Sequence, residues 1–142
     1  MGKKTTDELL ELIRQENRLN LFLENNADEF EDTTLSSQLT LLLEKYKLTK
    51  ASVVRGSLLD KTYTYQIFDG TKSNPSRNKL LAICLSMGLT LSETQHILRL
   101  GHAEQLHPRN IRDSVIIHSL NHHVSVAKTN DILFDLKKDI IE

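Results

Sequence analysis

Residues 48–75 read LTKASVVRGSLLDKTYTYQIFDGTKSNP, and the reading of this stretch decides the fold. Two helix-length segments flank a tight break. Thr49 is a natural N-cap for a first helix over 50–56, with Val53 and Val54 facing inward. Residues 56–59, GSLL, form the turn. Asp60 caps a second helix over 61–68, closed by Asp69 and Gly70, because glycine suits the left-handed C′ position. Beyond it lies a polar loop in which Pro75 pushes Asn74 out of helical geometry.

Working outward, helical periodicity predicts a helix over 35–46, capped by Ser36 or Ser37, with Leu39, Leu42, Leu43 and Tyr46 on one stripe. A helix over 76–87 buries Leu80, Leu81, Cys84 and Leu85 and stops at Gly88. Another over 91–100 follows a cap at Thr90 or Ser92 and turns Ile97 and Leu98 inward. Residues 34–100 thus form a five-helix domain. Residues 101–142 form a C-terminal helical hairpin, with Ile111, Val115, Ile116 and Leu120 apolar in a helix over 110–121, and Ile132, Leu133 and Leu136 inward in a helix over 126–139. Residues 1–33 are an acidic N-terminal helical extension of two short helices that break near 17–20, followed by a polar loop.

A shift of 35 residues places Leu85 on Leu120, Thr94 on Thr129, Ile97 on Ile132 and Leu98 on Leu133, while Leu80, Leu81 and Leu89 fall on Val115, Ile116 and Val124. Either the helical hairpin is duplicated, or shared helix patterning produces the match.

Composition points the same way. With 39% apolar residues, no Trp, five Gly and two Pro, the core must be leucine-rich and the chain all-α. The single cysteine, Cys84, excludes an internal disulfide and a thiolate metal cluster and fits a reducing cytosol, so a cytoplasmic protein is expected. No apolar run approaches the roughly 20 residues of a membrane span, and the first residues lack the apolar stretch of a signal peptide, so no membrane partner is expected.

Net charge is −1, but it is unevenly spread. Residues 1–44 carry −6, residues 45–79 carry +6 and residues 80–142 carry −1. The positive charge surrounds the opening stretch, as on a phosphate-binding face, although a merely solvated basic surface has the same sequence.

Residues 35–100 resemble the Cro/lambda-repressor-like helix-turn-helix family, also called the xenobiotic-response-element (XRE) family, of bacterial and phage regulators. Val54 falls on that family's small apolar position, Leu58-Leu59 on its Gly-Val turn, and Ile67 on the buried position of its third helix. Gly70 closes the module, an Asn-Pro follows at Asn74-Pro75, and GLTLSE at 88–93 is of the family type. A subgroup with YQIF, NPSR and PRN-x-RD segments matches most closely, extending the likeness to about residue 137. There are two departures. Leu58 replaces the turn glycine, so its backbone either avoids a positive φ or is strained. Thr64 replaces Val or Ile, and its hydroxyl needs a local carbonyl.

The resemblance implies a lambda-repressor-like domain whose third helix enters the major groove of double-stranded DNA. Lys61, Thr62 and Gln66 then reach base edges, and Tyr63 and Tyr65 reach phosphates or the groove edge. Lys50, Lys72, Ser73 and Arg77 contact the backbone. A homodimer is expected, because reading a single half-site is weak. The alternative is a helical adaptor that binds a protein partner through the same face or through the acidic N-terminal arm. His118 and His122 have the i, i+4 spacing of a chelate without an obvious third ligand, so no metal is expected. With no phosphate loop and no nucleophile motif, neither enzyme activity nor a cofactor is expected, and Cys84 is read as a core residue.

Overall fold

A computed structural model of the chain describes residues 4–15, 19 and 33–142. Among them there are eight helices and no strand. The chain divides into two units, Met1–Thr33 and Thr34–Glu142. No helix among the described residues is long and apolar enough to cross a membrane.

In the first unit, α1 spans Thr6–Gln15. Thr5 caps it by accepting the Glu8 N–H at 3.2 Å. Asp7 and Glu8 sit where the helix dipole favours acids. None of its residues is buried. The second short helix and acidic loop expected downstream lie outside the described residues.

In the second unit, α2 (Leu35–Lys45) is capped by Thr34 rather than by Ser36 or Ser37. Ser37 is instead the reciprocal partner three residues on: each residue's hydroxyl accepts the other's N–H, at 3.2 and 3.0 Å. Next come α3 (Lys50–Ser57), α4 (Lys61–Asp69), α5 (Arg77–Met87) and α6 (Leu91–Leu100), then α7 (Ile111–Asn121) and α8 (Val126–Asp135). The core is built around α5, whose run Leu80–Leu85 is buried on every side. It packs against α3, α6, α7 and α8. Cys84 is fully buried in it, and burial pushes the thiol up to about 12, so it behaves as a small core residue.

Three corners share one plan: a left-handed residue, an apolar residue whose N–H bonds a backbone carbonyl of the preceding helix, then the next N-cap. They are Lys47-Leu48-Thr49, Gly88-Leu89-Thr90 and His123-Val124-Ser125. The apolar residue's N–H reaches back across the last turn, to the carbonyl of Leu43 at 2.9 Å, Cys84 at 3.2 Å and Ser119 at 2.9 Å. Only one of the three left-handed residues is glycine.

The expected helix over 126–139 ends at Asp135, because Lys137 turns left-handed and the Lys138 N–H closes on the Leu133 carbonyl at 2.9 Å. The chain then doubles back. Asn130 grips Ile141 with both amide atoms, accepting its N–H at 2.7 Å and donating to its carbonyl at 3.0 Å. Ile132 and Leu136, expected inward, are exposed.

The shift of 35 residues is a duplication and not only shared patterning, because it relates polar contacts as well. Gln95 grips Leu106 at 2.8 and 2.9 Å, as Asn130 grips Ile141. Thr94 donates to the Thr90 carbonyl at 2.9 Å and Thr129 to that of Ser125 at 2.8 Å. Arg77 bonds the carbonyls of Glu104 and Gln105, and Arg112 bonds those of Asp139 and Ile140. Between the hairpins, Arg77 pairs with Asp113 while Arg112 donates to Asn78. Advancing the first contact by one repeat lands on the second with the hairpins exchanged, so α5–α6 and α7–α8 are related as across a two-fold axis. The packing agrees: α5 contacts α8 as α6 contacts α7.

Candidate nucleic-acid interface

The face of interest is carried by α4 and set by the turn before it. Thr49 caps α3 by accepting the Ser52 N–H at 3.2 Å. The helix ends at Leu58, which takes the left-handed conformation at φ 61°. Of the two backbone alternatives for a side chain at this turn, the strained one is adopted. Buried Ser57 holds the turn, donating to the Val54 carbonyl at 2.7 Å and accepting the Leu59 N–H at 3.3 Å. Asp60 then caps α4 by accepting the Tyr63 N–H at 2.8 Å. The Thr64 hydroxyl finds its local carbonyl on Asp60 at 2.6 Å.

Thr64, Ile67 and Phe68 anchor α4 inward. At the helical rotation of about 100° per residue, Thr62, Gln66 and Asp69 then point directly out, with Lys61 and Tyr65 along one edge and Tyr63 along the other. Lys61 and Tyr65 lean toward α3, where they line a shallow cleft of about 460 Å³ with Ala51, Val54 and Leu58. Tyr63 is half-buried between two cations, with the Lys72 ammonium 5.7 Å and the Lys79 ammonium 5.2 Å from its ring centre. The Lys72 N–H is tied to the Gln66 carbonyl at 3.1 Å, so the loop carrying it is pinned to α4. Lys50 and Ser73 are exposed.

One acid faces outward among these groups. Hydrogen bonds from Thr71 hold the Asp69 carboxyl below its usual range, and Lys50 is near enough to lower it further. Asp69 therefore stays ionised and partly offsets the basic charge around it.

Arg77 stands apart from the other expected contacts. Its guanidinium donates to the Glu104 carbonyl at 2.8 Å, the Gln105 carbonyl at 3.1 Å and both Asp113 oxygens at 3.1 and 2.9 Å. Four of its five N–H groups are consumed inside the protein. Lys79 was not among the expected contacts, yet it completes the pair around Tyr63. Its position within the +6 segment was the available signal.

Elsewhere, Glu93 joins α2 to α6. It completes the α6 capping box with Thr90 while accepting from Lys45 and Tyr46, each at 2.6 Å. Partial burial pushes its carboxyl up, but hydrogen bonds from Lys45, Tyr46 and Thr90 outweigh this and hold it at about 2. His118 and His122 stack with ring centres 4.4 Å apart, and among the described residues no group of three potential metal ligands gathers.

The arrangement offers an amide and a hydroxyl on the outward side of one helix, an ammonium at its edge beside α3, and two further ammonium groups on its flank. Such groups can donate to base edges and to phosphates. No family model, no curated protein and no solved structure matches this chain.

Proposed function

We propose that this chain is a sequence-specific DNA-binding regulator of the Cro/lambda-repressor-like type. In this reading α2–α6 is the five-helix domain, α3 and α4 are its helix-turn-helix, and α4 enters the major groove. The observation that carries it is the outward side of α4, where Thr62 and Gln66 point away from the core with Lys61 at the edge, while Lys72 and Lys79 bracket Tyr63 on the flank. Gln66 reads adenine N6 and N7, Lys61 and Thr62 reach neighbouring base edges, and Lys50, Lys72, Ser73 and Lys79 hold the phosphate backbone. Arg77 is left out of the contact set because its donors are engaged internally.

Selection from a random duplex pool, followed by gel shift at low and physiological salt, tests the reading. Gln66→Ala is expected to relax the selected motif and cost about 1–3 kcal/mol on the best site. Lys72→Ala is expected to weaken all duplexes alike and reduce the salt slope by about one phosphate contact. No retained duplex even at low salt would overturn the proposal.

The second reading, a helical adaptor, is favoured by one observation. Leu58 is 62% exposed beside the cleft between α3 and α4. Such an apolar tip suits a protein contact.

A further inference from the structure

The duplication brings two pairs of corresponding residues to one cleft. An open cavity of about 650 Å³ is lined by Arg77 with Arg112 and by Glu104 with Asp139, each pair 35 residues apart. The two arginines receive different partners. Arg77 has Asp113, a buried carboxylate that accepts from both of its terminal nitrogens. In the corresponding contact Arg112 has Asn78, a neutral amide, and its other bonds go to the carbonyls of Asp139 and Ile140. Its second terminal nitrogen, Nη1, makes no hydrogen bond among the described residues.

Positive charge accumulates in the same place. Arg109, Lys137 and Lys138 also line the cleft and are exposed. Among the described residues none of them, nor Arg112, forms a salt bridge. The positions 35 residues before Lys137 and Lys138 hold His102 and Ala103, so these two ammonium groups have no counterpart in the first hairpin. Against Glu104, Asp113 and Asp139, the five cations of the cleft leave a surplus of two positive charges. Burial, and then the charge of Arg77, lower the Arg112 guanidinium from its ordinary value, against the opposing pull of Asp113 and Asp139. Two neighbouring guanidiniums that share one bonded carboxylate, with unpaired cations beside them, are charge-balanced by a doubly negative anion.

We propose that this cleft binds the phosphate group of a small phosphate monoester, with Arg109, Arg112, Lys137 and Lys138 as its donors. Such a group carries about −1.5 to −2 charge at neutral pH and presents three acceptor oxygens, which matches the surplus charge and the donors on offer. The cavity has the size of a small-molecule site. The assignment does not rest on the DNA-reading proposal. A duplex backbone is the other source of the same chemical group, and the test separates the two.

The isotope-labelled full chain is titrated at constant ionic strength with inorganic phosphate, glycerol phosphate and a short duplex, and its amide NMR signals are followed. Phosphate and its ester are each expected to move the signals of residues 109–113 and 137–139 saturably. Asn78→Asp gives Arg112 the counter-acid that Arg77 already has. It is expected to raise the phosphate Kd by roughly fivefold or more without lowering the urea midpoint. Lys137→Gly removes an ammonium from a left-handed residue (φ 58°), where glycine carries no backbone strain. It is expected to raise the Kd by roughly threefold or more. Lys128→Ala makes the same change of charge outside the cleft and is expected to leave the Kd unchanged. Signals that move without saturating, or that centre on other residues, would overturn the proposal. So would a response to the duplex alone, or phosphate binding indifferent to both Asn78→Asp and Lys137→Gly.

Discussion

The α5–α6 and α7–α8 hairpins have one backbone plan and two different surroundings. Each begins with an arginine that bonds the carbonyls of its own hairpin's trailing segment, turns on a left-handed corner, and grips that segment with a side-chain amide. The first hairpin is enclosed, with α2 and α3 on one side and the second hairpin on the other. Within Thr34–Glu142 no further helix packs on α7 or α8 to a comparable extent, beyond one another and their contacts with α5 and α6. The sequence follows the surroundings. Buried Ile83 and Met87 correspond to exposed His118 and His122, and Glu93, which accepts from α2, corresponds to exposed Lys128. The backbone plan is thus kept by polar contacts within each hairpin, while the outer face changes with what covers it.

The largest expected effect comes from the contacts that join the hairpins. Asp113 is nearly buried, and the Arg77 side chain is only a quarter exposed. Asp113→Ala leaves a largely buried guanidinium without its counter-charge and is expected to cost about 3 kcal/mol or more. The related contact, Arg112 to Asn78, is a bond to a neutral acceptor, and Arg112 keeps its two backbone carbonyls. Asn78→Ala is therefore expected to cost only about 1 kcal/mol. Urea denaturation of both variants checks this, and equal losses would mean that the ion pair is worth no more than its neutral counterpart.

Acid distinguishes the hairpins next. The Glu93 carboxyl titrates at about 2 in the folded chain. An unfolded glutamate titrates at about 4.3. A depressed folded value means that its contribution is fully present above the unfolded value and disappears as pH falls from about 4.5 toward about 2. That window is worth on the order of 2 kcal/mol at neutral pH, once screening by solvent at the exposed Lys45 ammonium is allowed for. Glu93→Gln is expected to lower stability at pH 7 and to flatten the acid limb of the stability curve between those values. The corresponding place on α8 is taken by exposed Lys128 and holds no carboxylate. Chemical denaturation at several pH values would detect the difference, and an unchanged limb in Glu93→Gln would assign acid sensitivity to other carboxylates.

The difference between the hairpins also shows which features were legible in the sequence. Apolar periodicity and caps located α2 to α7, because those signals are local. The corner glycine at 88 and the 35-residue shift were visible too, and the same shift places Arg77 on Arg112 and Gln95 on Asn130. Arg77 was nevertheless read as a phosphate contact. Counting charge along the chain cannot tell an exposed cation from one whose acceptor lies 36 residues away. The end of α8 was missed because Lys137, not glycine, takes the left-handed position. Ile132 was expected inward because periodicity marks a hydrophobic side without saying whether anything covers it. On α4 the outward residues were legible from helix spacing once its buried side was known. The bracketing of Tyr63 by Lys72 and Lys79 was not, because it depends on how the loop folds back.

The smallest effect separates the two corners. Gly88 (φ 68°) and His123 (φ 53°) occupy corresponding left-handed positions, one natural for its residue and one strained. A left-handed non-glycine residue costs roughly 1 kcal/mol, partly offset because glycine has more freedom to lose on folding. His123→Gly is therefore expected to stabilise the protein by about 0.5 kcal/mol, and Gly88→Ala to destabilise it by about 1 kcal/mol. A Cβ at Gly88 would meet only the His123 ring, at the ordinary distance of 3.5 Å, so the loss would report backbone conformation and not a clash. Leu58→Gly, at φ 61° in the turn before α4, offers an independent measure of the same strain. If thermal melts show His123→Gly to be neutral while Leu58→Gly stabilises, the imidazole at 123 returns in local contacts what its backbone loses. The duplicated corner would then have adapted to histidine rather than merely tolerating it.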